Sequence, residues 1–188
     1  MAGKYYEDGL WVSQGDPALV NEQVTTDIYT APSAGATRQF VAGQLGKKIN
    51  LPVPTNSGAL VANEYRYVLR DDTTTFNTVP CVLEWKSSAL FSVELGAGHK
   101  PIAGIFLGND TATTGQQGMQ SGNYGFIQIG GVAYVQAGGT CTAGGDLTTT
   151  SNGLVRDRTV FTEPLVGIAL GSSSGGTTAV LLTIADLP

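Results

Sequence analysis

Two glutamates, one histidine and two cysteines are the residues of this chain best suited to chemistry. Glu84 lies in Val82-Leu83-Glu84-Trp85-Lys86, and Glu94 in Phe91-Ser92-Val93-Glu94-Leu95. If these segments are neighbouring strands, the two carboxyls can face each other. Carboxyls about 5–10 Å apart in a cleft are the machinery of glycoside hydrolysis. The more ordinary place for a strand glutamate is a solvated face. The single histidine, His99, sits in the turn-like string Gly98-His99-Lys100-Pro101. One histidine cannot build a two-histidine zinc site, and no cysteine pair stands in for the second. No metal and no cofactor are therefore expected. Cys81 and Cys141 are far apart and in no CxxC pair. That suits two buried thiols, with a disulfide between them left open.

The remaining motifs fail on their context. Gly171-Ser172-Ser173-Ser174-Gly175 matches the nucleophile-elbow string. An elbow needs a strand, a sharp turn and then a helix, whereas the text here continues into a strand and no histidine follows. Gly46-Lys47-Lys48 lacks the phosphate-loop glycine five places earlier, where Val41 stands, and the Ser or Thr after Lys47. Gly96-Ala97-Gly98 begins a dinucleotide-binding string, but Pro101 replaces its last glycine. Asp71-Asp72 is too short a cluster for a calcium loop. Asn109-Asp110-Thr111 is a glycosylation sequon, which has meaning only in a secreted chain.

The elements that would position these residues follow from composition. The chain has 188 residues, enough for one domain with a full core, or a domain plus an arm. Apolar residues make up 41%, which argues against disorder, but charged residues only 13%, about half the usual ~25%. Surface helices need long charged side chains on their wet face, so few are expected. The 26 glycines and abundant threonine suit short strands joined by tight turns. Low charge also fits a surface partly buried against other subunits. The net charge of −5 gives no counterion-release gain on nucleic acid and no attraction to an anionic membrane, so neither is an expected partner. No apolar run reaches the ~18 residues of a span, and no apolar core follows Met1-Ala2-Gly3-Lys4 to make a secretory signal.

Along the chain, residues 1–57 read as an extended N-terminal arm and 58–188 as a β-domain. The arm scatters Tyr5, Tyr6, Trp11, Tyr29 and Phe40 through polar text and ends near Leu51-Pro52-Val53-Pro54, an edge-like extended segment. Asp16-Pro17 can open a short helix, and Thr25 to Thr30 can form a strand. The rings need a burial site, either in this chain or on a neighbour. Between 58 and 76 two patterns overlap: Val61, Tyr65 and Val68 have helical spacing, while Tyr65, Tyr67 and Leu69 alternate as in a strand ended by Asp71-Asp72, which is the reading preferred. Strands are expected at 82–86, 91–95, 102–107, 124–129, 132–136, 165–170 and 178–184. A polar loop is expected at 108–123. Turn signals every ~8–12 residues indicate an antiparallel β-sandwich or barrel.

The last third carries a recognisable order. Val132-Ala133-Tyr134-Val135-Gln136-Ala137-Gly138 leads to Ala143-Gly144-Gly145-Asp146-Leu147. Gly153-Leu154-Val155, Val166-Gly167-Ile168-Ala169-Leu170 and Thr178-Ala179-Val180-Leu181-Leu182 follow. Over about residues 124–184 this resembles the small capsid decoration (cement) proteins of tailed bacteriophages. Similar text occurs in phage tail and fibre modules. The resemblance implies that "aGD" opens a strand, "G-A-L" marks a buried one, and an apolar strand closes the fold. It also implies a non-catalytic virion protein, made in the bacterial host cytoplasm and bound to the outer capsid surface. Its partners would be the major capsid protein and itself, as a homotrimer. The arm aromatics Tyr5, Tyr6, Trp11, Tyr29 and Phe40 are then the expected contact residues, since aromatics dominate interface energetics. Two other classes stay open. One is a tail, fibre or carbohydrate-binding β-module, with Trp85 and Tyr124 as the rings to stack on a sugar. The other is a small β-enzyme using Glu84 and Glu94.

Overall fold

In the computed structural model, the described residues are 3–7, 10–14, 29–30, 46, 48–54, 60–73, 80–87, 90–107 and 123–184. Their regular elements are all strands. The mostly-β expectation holds, and between sandwich and barrel the chain forms a closed barrel with a second sheet packed on it.

Five strands close the barrel. They are β5 (Leu60–Arg70), β6 (Cys81–Ser87), β7 (Ser92–Leu95), β8 (Ile102–Phe106) and β9 (Asn123–Gly130). The order around the ring is β9-β8-β6-β7-β5, and β5 pairs back onto β9. All contacts are antiparallel except β5 with β7, which is parallel. β4 (Lys48–Pro54) runs beside the first half of β5, and β3 (Tyr29–Thr30) pairs with β9. β1 (Gly3–Glu7) and β2 (Leu10–Gln14) form a separate antiparallel pair.

Side-chain alternation explains what fills the ring. Cys81, Leu83 and Trp85 of β6 point inwards and pack with Val68, Val93, Ala103, Phe106, Ile127 and Ile129. Each fully buried large apolar side chain contributes about 1.5–3 kcal/mol. On β5 the inward set also includes Arg66 and Arg70. The Arg66 guanidinium lies 5.7 Å over the Trp85 ring, and Arg70 Nε donates to Asp72 Oδ1 at 2.6 Å. Tyr65 and Tyr67, on the opposite face of β5, are equally buried, and Tyr67 packs on Phe126 with centroids 5.1 Å apart.

The second sheet holds β10 (Val132–Gln136), β11 (Asp146–Thr149), β12 (Val155–Asp157), β13 (Gly167–Ala169) and β14 (Thr177–Leu182), ordered β10-β14-β13-β11-β12. Its inner face supplies Ala133, Val135, Leu147, Val155, Ala169, Val180 and Leu182. These pack on Val82, Ile102 and Ile105 from the outside of the barrel. Ile102 and Ile105 share a face despite a spacing of three because the β6–β8 register shifts at Ala103. Gln128 ties the layers together, its Nε2 donating to Gly130 O and Val132 O across the β9–β10 turn.

A loop bridges the two layers at Gly153. Its carbonyl accepts from Val82 N at 2.7 Å, and its N–H donates to Gly96 O at 3.0 Å. The backbone there has φ +69°, and an added Cβ would meet Leu95 Cδ1 at 2.7 Å. The Ser151-Asn152-Gly153 turn signal thus marks both a hairpin bend and a docking point that requires glycine.

Strands β10, β11, β13 and β14 match the pattern expected over residues 124–184. Asp146 opens β11, Gly167 and Ala169 are buried in β13, and the apolar β14 lies between β10 and β13. The expected strand at 165–170 is shorter, Gly167–Ala169. The expected helix near Asp16-Pro17 and the ring of Phe40 lie outside the described residues, as does the expected loop at 108–123 except for Asn123, which opens β9.

Candidate functional site

Glu84 and Glu94 are brought together as the sequence suggested. They are direct register partners across β6 and β7. The Glu84 side chain is buried, and its Oε1 accepts from Gly98 N at 2.6 Å and His99 N at 3.2 Å. It holds the turn between β7 and β8 with a charged acceptor, the stronger kind of hydrogen bond. Glu94 is half-buried and pairs with Lys100 of the same turn. Both carboxylates are therefore engaged in fixing residues 96–101. Like charges opposite each other on a sheet repel, and these partners offset that cost. His99 itself is exposed.

Beside this turn lies a groove of about 440 Å³ lined by His99, Lys100, Ile102, Arg158, Glu163 and Leu165, among others. Its charged groups are also tied. Glu163 is held by Arg156 and accepts from Thr159 N at 3.0 Å, which lowers its pKa to about 2. Arg158 reaches Asp146 at 3.7 Å, donates to the Phe161 carbonyl and lies 5.4 Å over the Phe161 ring. Phe161 is 93% exposed. The sequence reading did not single out this loop; its signal is the Arg156-Asp157-Arg158 and Glu163 charges around Val160-Phe161.

The outer face of the second sheet is different in kind. Register sets Val132, Leu181 and Ile168 in one row across β10, β14 and β13. Tyr134 and Ala179 form the next row, which Leu170 extends through its N–H to Ala179 O at 2.8 Å. Tyr134, Leu170 and Leu181 are 64%, 52% and 40% exposed. No Asp, Glu, Lys or Arg occurs in β10, β13 or β14. The sequence held a signal for this surface: Ala179 to Leu182 is apolar at both parities of the strand, so both of its faces carry apolar side chains.

Several sequence candidates separate. Ser173, centre of the elbow-like string, forms a bridge with Cys141 in a loop between strands, without a helix. Cys81 and Cys141 are free, buried thiols in two different cores. Burial pushes the Cys81 thiol up to about 12 and raises that of Cys141. Trp85 cannot stack on a sugar, because it is inside the barrel at 5% exposure. Tyr124 is placed only by its backbone, paired with Tyr29. Of the arm aromatics, Tyr5 and Tyr6 lie in β1, Trp11 in β2 and Tyr29 in β3, and their side chains are outside the described residues. Among the described residues no group of three or more His, Cys, Asp or Glu could hold a metal.

The chain matches no known family model and no curated protein. Among solved structures it is similar to the N base of head fiber gp8.5 of bacteriophage phi29. The identity is 12% and the TM-score 0.45, over 66% of this chain and 97% of that one.

Proposed function

We propose that this chain is a non-catalytic structural protein of a phage virion that binds the outer capsid surface and steadies the shell by bridging its subunits, as a homotrimer. The observation that carries this reading is the use of the polar groups. The one carboxylate pair the sequence offered for catalysis is engaged with backbone amides and Lys100, holding a turn. The cement-like order of residues 124–184 supports the virion assignment, and from Val132 onwards its strands are those of the second sheet.

The mechanism is additive and non-covalent. A specific contact needs about 1,600 Å² in total. In a trimer the second and third contacts become intramolecular, raising avidity by ~10²–10⁴ over one site. A protein that binds only the assembled lattice stabilises that lattice by linkage. The arm residues Tyr5, Tyr6, Trp11, Tyr29 and Phe40 are the proposed anchors.

The test is co-sedimentation of the full chain with expanded capsid shells of its own phage, followed by heating of the decorated shells. Binding with a raised disruption temperature supports the reading. A chain that stays in the supernatant, or binds without stabilising, sinks it. Removal of residues 1–57 with unchanged binding would reject the arm as the contact.

A further inference from the structure

We infer that copies of this chain meet through the uncharged outer face formed by Val132, Tyr134, Ile168, Leu170, Ala179 and Leu181. This deepens the self-assembly part of the proposed function and is independent of the contact with the shell.

Three observations fix the occupant as a second copy. The first is charge. The chain carries a net charge of −5, so two copies repel unless they meet where neither presents charge. The strands β10, β13 and β14 have no charged residue, and charge begins only at the margin, where the Asp146–Arg158 pair follows Ile168. A partner with a basic or acidic docking surface would find nothing here to pair with.

The second is the edge strand. Leu182 N donates to Gly131 O and Ala137 N to Gly176 O, which fixes the odd-numbered residues of β10 as those bonding to β14. The N–H and C=O groups of Val132, Tyr134 and Gln136 therefore face the other way. Gln128 takes the Val132 carbonyl, and the end of the strand is bridged to β12, Ala137 to Val155, so the edge left open among the described residues is centred on Tyr134. Exposed edges are normally blunted by Lys, Pro or a bulge, and Val132–Gln136 has none of these.

The third is self-complementarity. Tyr134, the most exposed residue of the face, stands on the edge strand itself, so the edge and the apolar rows are contiguous. Around a symmetry axis, each copy brings the same neutral rows and the same open edge to its neighbour.

The experiment is sedimentation velocity of the full chain over a range of concentrations, with shell binding measured separately. The wild type is expected to sediment as an oligomer, and Leu181→Lys and Tyr134→Lys as folded monomers by circular dichroism. Leu90→Lys, which alters a still more exposed leucine on a barrel turn, should keep the oligomer. Should Leu181→Lys fail to fold, Tyr134→Ser provides the reading. A monomeric wild type overturns the inference, as do variants that keep their mass. Variants that stay oligomeric but lose shell binding also overturn it, since the face would then belong to the capsid. A wild-type oligomer that ignores shells sinks the capsid contact and leaves this interface standing.

Discussion

Glu84 and Glu94 are register partners on adjacent strands, yet each carboxylate serves the following turn, one through backbone amides and the other through Lys100. Glu84 works as a buried acceptor for Gly98 and His99. Its removal leaves two donors without their partner beside a packed core.

Glu84→Ala is expected to cost about 1–3 kcal/mol, the worth of hydrogen bonds to a charged acceptor lost from the turn. For a chain of this size that lowers the melting temperature by about 2–4 °C per kcal/mol. Glu84→Gln keeps an acceptor oxygen and should cost less. Urea and thermal melts of the two variants check the order. Equal stability of wild type and Glu84→Ala would mean the hydrogen bonds carry no net weight.

The Gly153 junction makes a sharper claim. Gly153 and Gly144 both have positive φ, +69° and +76°, so alanine strains the backbone at either, by about 1–3 kcal/mol. At Gly144 nothing lies within 4 Å of the added Cβ, whereas at Gly153 it meets Leu95 Cδ1 at 2.7 Å and Val82 O at 2.9 Å. Gly153→Ala should therefore destabilise by at least about 1 kcal/mol more than Gly144→Ala. Similar denaturation midpoints for the two would show that the layers are not held at this point.

Glu163 gives a pH dependence. Arg156 and the Thr159 and Val160 amides hold its pKa at about 2, below the ordinary 4.5 of a glutamate carboxyl. A folded-state pKa below the unfolded one stabilises above the unfolded value. That contribution is complete above about pH 4.5 and lost as pH falls through about 2. Glu163→Gln should remove this part of the acid sensitivity. Hydrogen exchange of residues 158–165 in wild type and variant at pH 3 and pH 7 measures it. Identical loss of protection in both proteins would reject the Glu163 anchor.

The thiols predict chemical silence. Cys81 sits in the barrel core with its pKa pushed up to about 12, and Cys141 is buried in the other core. Neither should react with a thiol reagent at pH 8 in the native protein, and both should react once it is unfolded. Rapid labelling of the native form would place a thiol at the surface.

Where alternation ran unbroken, the strands were legible. Val132 to Gln136 was read as alternating and is a strand, and the bounded apolar run from Thr178 to Leu182 is a strand too. The break at Ala103 was not legible, because a register shift is a property of two strands and shows in neither alone. Nor was the interior of β5. Tyr65, Tyr67 and Leu69 read as the buried face, and both tyrosines are buried, but Arg66 and Arg70 line the barrel on the other side. The chemistry of an arginine over a tryptophan ring overrides its usual place in water. The nearness of Glu84 and Glu94 was legible from neighbouring strands. Their engagement was not, since it depends on a turn folding back over them.

The barrel seam has a consequence for synthesis. Leu69 pairs with Tyr124, which stands 55 positions later in the chain, and Arg66 pairs with Ile127. The ring cannot shut until β9 has left the ribosome, so early strands wait with open edges and loop closure weighs on the rate. Once shut, the same seam must tear before the interior is exposed. If the folding transition state precedes that closure, the molecule should be slow to form and slower to come apart, a kinetic durability distinct from its equilibrium stability.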